Sequence, residues 1–189
     1  MNYKPIIIVA GEPNSVFLEI FFKAKKKYNF KKPIILIVSK TLLQEQMKKL
    51  NFKFKINVLS VKEIFYLKLN SQMINIIDIN YKFNKCFDKI SNKSNAYIEK
   101  SFDIALKLLR NNQCSGLING PISKKHFLKG KSLGITEYLA KKTKKNNNVA
   151  MLIYNKKLSV SPITTHLALK DVHKNISKQK IYTHIKLIT

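Results

Sequence analysis

The chain has 189 residues, 45% of them hydrophobic, enough to bury one sizeable core, and length alone allows one domain or an incomplete two-domain protein. No apolar run approaches the roughly 20 residues that span a bilayer, and Pro5 to Ala10 is too short for a signal-peptide core, so a soluble cytoplasmic protein is expected. The formal charge of +26 suits a nucleic-acid binder, yet Arg110 is the only arginine among 36 basic residues, and base readers rely on the guanidinium fork. The lysines are spread along the chain with abundant Asn and Ile, a pattern that AT-rich codons produce without any selection for nucleic acid.

In chain order, Ile6 to Ala10 is a continuous apolar run closed by Gly11, the mark of a parallel strand buried on both faces. A turn over Gly11-Glu12-Pro13-Asn14-Ser15 follows, with Ser15 capping a helix whose Phe17, Leu18, Ile20, Phe21 and Ala24 form the apolar stripe. The turn lacks the further glycines of a dinucleotide fingerprint. Ile34 to Val38 reads as a second strand, Thr41 to Leu50 as a helix capped by Ser39 or Thr41, and the alternation from Phe54 to Leu59 as a third, half-exposed strand. This β-α-β-α-β order predicts a parallel sheet with right-handed crossovers.

Val61 to Leu69 reads as a short helix, Met73 to Ile79 as a strand, and Asn80 to Lys93 as a polar connection. A helix capped by Ser94 carries the stripe Ile98, Phe102, Ala105, Leu106 and Leu109, and a strand at Gly116 to Asn119 enters the Gly120-Pro121 turn. Helical segments are expected at Ile122 to Leu128 and from Thr136 to about Lys142. Two strands, Val149 to Tyr154 and Leu158 to Ile163, flank a turn at Asn155-Lys156; helices follow at about Leu167 to Ile176 and from near Lys180. The domain division is expected at 93/94, with residues 1–93 in a first α/β domain and 94–189 in a second that carries the functional turns.

Candidate chemistry gathers where strands end and helices begin, the usual place for ligands in open α/β sheets. His166 sits at such a turn and is either a hydrogen-bonded histidine or a ligand; alone it makes no metal site, which needs about three protein donors. Thr136 is either a helix N-cap or a polar group facing the crevice. Lys124, just past Gly-Pro, is a surface lysine or a crevice cation. His126, His173 and His184 read as structural, and Cys86 and Cys114 lack zinc-ligand spacing and are expected to stay reduced.

Four segments in this order resemble the 4-hydroxythreonine-4-phosphate dehydrogenase family of pyridoxal phosphate biosynthesis. They are Ile7-Ile-Val-Ala-Gly-Glu-Pro13, Ile118-Asn-Gly-Pro-Ile-Ser-Lys124, Gly134-Ile-Thr-Glu-Tyr-Leu139 and Thr164-Thr-His-Leu-Ala-Leu-Lys-Asp171; residues 40 to 93 match weakly. The resemblance implies an α/β fold like the isocitrate and isopropylmalate dehydrogenases, mostly parallel with helices on both faces, and a homodimer. It implies oxidation of a phosphorylated hydroxy amino acid by NAD(P), then decarboxylation to 3-amino-2-oxopropyl phosphate, with a divalent metal (Zn, Mg or Mn) polarising the reacting oxygen. It assigns His166 to the metal and Thr136 to the substrate, and leaves the catalytic and cofactor-binding residues unassigned.

Three positions depart from the family pattern. Ile135 stands where the family has a substrate-binding histidine, and Asn14-Ser-Val-Phe17 replaces a glycine-rich turn. Thr189 falls inside a predicted helix, before the family's other metal histidines, phosphate-gripping residues and most of its NAD pocket. The expectation is therefore the N-terminal part of a longer enzyme, binding metal and cofactor weakly and not turning over alone. Two other readings stay open: a dehydrogenase of another phosphorylated hydroxy acid, such as threonate or erythronate phosphate, and a noncatalytic basic module that binds nucleic acid.

Overall fold

A computed structural model describes residues 4–61, 69–130, 132–145 and 148–189. Five parallel strands form one sheet: β1 (Ile6–Val9), β2 (Ile34–Val38), β3 (Ile56–Val58), β4 (Ile74–Asp78) and β5 (Gly116–Asn119), in the spatial order β3-β4-β2-β1-β5. Ile7 of β1 lies between Ile35 of β2 and Leu117 of β5, so Val9, Ile37 and Asn119 end level at one carboxyl edge. The short β-branched runs of β1 and β2 are buried on both faces, as central parallel strands require. The helix expected at Val61 to Leu69 lies almost wholly outside the described residues.

The pleat sorts the strand residues between two helical layers. On one face Ile8, Leu36, Val38, Ile74 and Ile76 pack with Leu18, Phe21 and Phe22 of α1 (Phe17–Lys27) and with Leu43 and Met47 of α2 (Lys40–Lys49). Phe22 is fully buried and meets Phe52 and Phe54 at ring-centroid distances of 5.4 and 6.2 Å. The alternate residues Ile7, Val9, Ile35 and Ile37 are buried on the other face, and α3 (Asn95–Arg110) packs against β1, β2 and β5 with Ile98, Phe102 and Ala105 buried.

Helix starts follow local chemistry in two places. Ser39 caps α2 by accepting from the Leu42 amide, and Ser177 caps the helix Lys178–Ile188 by accepting from the Lys180 amide. Helix α1 instead takes Val16 as its N-cap with no side-chain cap, and the expected cap Ser15 sits one residue earlier, its hydroxyl accepting from the Phe17 amide. At α3, Ser94 occupies the cap position, but its hydroxyl is turned away from the helix and donates to Glu12.

The chain divides into two compact units, Met1–Phe127 and Leu128–Thr189. The division lies at 127/128, not at the expected 93/94, because β5 completes the sheet beside β1 and α3 packs beneath it. The second unit contains α4 (Ile135–Lys142), α5 (Leu169–Val172) and α6 (Lys178–Ile188). Of the two strands expected between 149 and 163, one antiparallel bridge forms, Ile153 with Val160, both exposed. The helix expected from Leu167 to Ile176 shortens to α5 and a 3-10 turn over His173–Asn175, since His166 is left-handed and Ala168 extended.

Candidate functional site

Two motif segments meet backbone to backbone at the carboxyl edge of the sheet. The Glu12 amide donates to the Pro121 carbonyl at 2.8 Å, and the Gly120 amide to the Val9 carbonyl at 2.7 Å. A Cβ on Gly11 would lie 2.4 Å from the Pro121 oxygen, and one on Gly120 would lie 2.2 Å from the Ala10 oxygen. Gly11 also takes φ +75, so neither position has room for a side chain and the first resists one conformationally. The Gly-Glu-Pro and Asn-Gly-Pro sequences are thus two halves of one clamp.

Glu12 is 3% exposed and ties this clamp to the start of α3. Its carboxylate accepts from the Ser94 hydroxyl at 2.8 Å and from the Asn14 amide at 3.3 Å. Beside it, the Tyr97 hydroxyl accepts from the Ser39 amide at 3.2 Å, and burial holds this phenol far above its usual range. Burial likewise raises the Tyr81 phenol, reinforced by the negative charges of Glu12 and Asp88. These groups brace the rim of the sheet. Lys124 is exposed at the start of a single π-helical turn that follows the clamp.

In the second unit, α4 begins at Gly134, which takes the N-cap position with extended φ −157. Thr136 is therefore the second helical residue and not the cap, which frees its hydroxyl from the capping role. Ile135 and Thr136 are both half-buried. His166 is exposed and adopts φ +56, an uncommon conformation for a residue with a side chain, of the kind found at functional turns. Its Nε2 lies 3.8 Å from the point where a Cβ on Gly134 would sit. The structure therefore brings the imidazole to the start of the helix that carries Thr136.

Glu137 completes this cluster. Its Oε2 lies 2.9 Å from the same point beside Gly134 and is buried with no hydrogen-bond partner among the described residues. In sequence, Glu137 read only as an acid suited to a helix N-terminus; a Thr-Glu pair spells nothing about which carboxylate oxygen is shut off from water. An imidazole and an orphaned carboxylate oxygen flanking a side-chain-free space suit part of a divalent-cation site. They are an incomplete set, since no group of three or more His, Cys, Asp or Glu able to hold a metal occurs among the described residues. Nor, among them, is any helix long and apolar enough to cross a membrane.

Residues 29–189 match the family model described as "Pyridoxal phosphate biosynthetic protein PdxA". The 4-hydroxythreonine-4-phosphate dehydrogenase of Sulfurihydrogenibium sp. (strain YO3AOP1) is 31% identical over 186 residues, which cover 97% of this chain and 56% of that protein. A 4-hydroxythreonine-4-phosphate dehydrogenase from Klebsiella pneumoniae superposes with a TM-score of 0.82 at 20% identity, covering 97% of this chain and 57% of the other. A terephthalate 1,2-cis-dihydrodioldehydrogenase from Burkholderia xenovorans LB400 superposes at 0.67 and 14% identity, over 97% and 55% of the two chains. These structural likenesses establish the α/β fold, which different oxidations share. The chain spans a little over half the length of the curated relatives it matches.

Proposed function

The chain belongs to the PdxA family of pyridoxal phosphate biosynthetic proteins, and from that premise we propose that it serves the NAD(P)-dependent oxidation and decarboxylation of 4-phosphooxy-L-threonine to 3-amino-2-oxopropyl phosphate. The observation that carries the reading is the placement of the His166 ring at Gly134, where α4 begins and Thr136 stands. A divalent metal at this place would draw electron density from the substrate oxygen, favouring loss of its proton and the enolate left by decarboxylation. His166 would hold it through an imidazole nitrogen, and the Thr136 hydroxyl would hydrogen-bond the substrate. Ile135 offers no polar contact, so Thr136 carries more of the orientation here than where a histidine precedes it.

A metal site needs further donors. We propose that they come from polypeptide outside these 189 residues, consistent with the greater length of the relatives, and that the working enzyme is a cytoplasmic homodimer. On its own the chain is then expected to bind NAD(P) and metal weakly and to produce no NADH.

The test is 4-phosphooxy-L-threonine titrated into the isotopically labelled chain with Zn2+ present. Shifts of the Thr136 and His166 signals are expected, with the Thr136 shift lost in His166→Ala. Equal shifts with threonate or erythronate phosphate would move the assignment to a dehydrogenase of another phosphorylated hydroxy acid. No shift with any of the three would overturn the reading.

A further inference from the structure

We propose that Glu137 is a second donor, beside His166, to a divalent cation held at the start of α4; the inference rests on the reading of His166 as a metal ligand. The third residue of a helix is where a glutamate ordinarily folds back onto the N-cap amide, completing a capping box. Glu137 stands three residues after the N-cap Gly134, yet its Oε2 is buried and has no hydrogen-bond partner among the described residues. A carboxylate oxygen shut off from water without a donor or a cation carries a desolvation cost of several kcal/mol. A group able to supply compensation is the His166 ring, whose Nε2 also lies near Gly134, 3.8 Å from where a Cβ on that residue would sit.

Gly134 supplies the second line of argument. At φ −157 its backbone is extended, a conformation open to any residue, so the turn does not demand glycine. A Cβ there would fall 2.9 Å from Glu137 Oε2 and 3.8 Å from His166 Nε2, in the space beside both atoms. What glycine supplies is room. An imidazole nitrogen and a carboxylate oxygen form a mixed set suited to Zn2+ or Mn2+. A cation between them satisfies the orphaned oxygen and fixes the left-handed turn at His166. The two donors are a partial shell, so binding by this chain alone is expected to be weak.

The test uses Zn2+ calorimetry and Mn2+ paramagnetic broadening on the intact chain, with Glu137→Gln, Gly134→Ala and His166→Ala compared by circular dichroism for retained fold. Mn2+ is expected to broaden the signals of both Glu137 and His166. Glu137→Gln and Gly134→Ala are each expected to weaken Zn2+ binding by about tenfold or more, and His166→Ala to abolish it. Should Glu137→Gln misfold, Glu137→Asp keeps the charge on a shorter arm and is expected to bind more weakly than the parent. If Glu137→Gln binds Zn2+ as the parent does while His166→Ala does not, Glu137 is no ligand and the inference fails, with the His166 reading intact. If His166→Ala binds as the parent does, or the parent binds no Zn2+, both fail together.

Discussion

Ser94→Ala removes the only side-chain donor to Glu12 Oε2 among the described residues, leaving a carboxylate oxygen buried without its partner. Hydrogen bonds to charged groups contribute about 1.5–3 kcal/mol, and stranding the charged partner sets the cost near the upper end. Glu12→Gln separates charge from geometry. In the native arrangement the Ser94 hydroxyl lies within bonding distance of both Glu12 and the Ser91 carbonyl, at 2.8 and 3.0 Å, but has one proton to give. An amide NH2 at position 12 can donate to the Ser94 oxygen, releasing that proton to Ser91, while the amide oxygen keeps the Asn14 amide. Both hydrogen bonds that Glu12 makes are kept, so the cost is expected below about 1 kcal/mol. Glu12→Ala loses both bonds and leaves a cavity, for about 3 kcal/mol or more. Since the chain has two compact units, a single unfolding curve does not isolate the first. Native-state amide exchange at Ile8, Leu36 and Ile98 reads the opening of that unit directly. The expected order of cost is Glu12→Gln, then Ser94→Ala, then Glu12→Ala. A Glu12→Gln variant as destabilised as Glu12→Ala, or a Ser94→Ala variant indistinguishable from wild type, would refute the reasoning.

Phe22→Ala empties the aromatic cluster with Phe52 and Phe54 and is expected to cost about 3–5 kcal/mol by the same exchange measurement. Burial pushes the Cys114 thiol up to about 11 from 9.0, so it is expected to resist alkylation at neutral pH while the unfolded chain reacts. The unfolded thiol ionises first as pH rises, so its contribution to stability is complete below about pH 9 and declines from there to about 11; denaturation curves of wild type and Cys114→Ala across that range should converge. DNA binding should be weak and lose affinity with salt in proportion to counterions released; tight, sequence-selective binding would favour the basic-module alternative.

What the sequence determined by itself was the set of elements whose signal is local. Short apolar runs marked β1, β2, β4 and β5, with glycine or proline flanking β1 and β5 and Pro33 ahead of β2, and the stripe from Ile98 to Leu106 marked α3, because burial on two faces or on one helical stripe forces a composition visible at short range. The four motif segments identified the family. Tertiary structure decided the rest. Whether the segment from 149 to 163 forms a sheet depends on what it packs against, and alternation alone could not reduce it to one bridge. The helix after His166 shortened because a left-handed turn is set by surroundings, and a histidine does not announce it as glycine would. Neighbours distant in sequence likewise gave Glu12 a buried hydroxyl 82 residues away and brought the His166 ring to the space beside Gly134. A carboxylate's role follows from which of its oxygens lose water and what replaces it, and that is fixed only once separate segments have folded together.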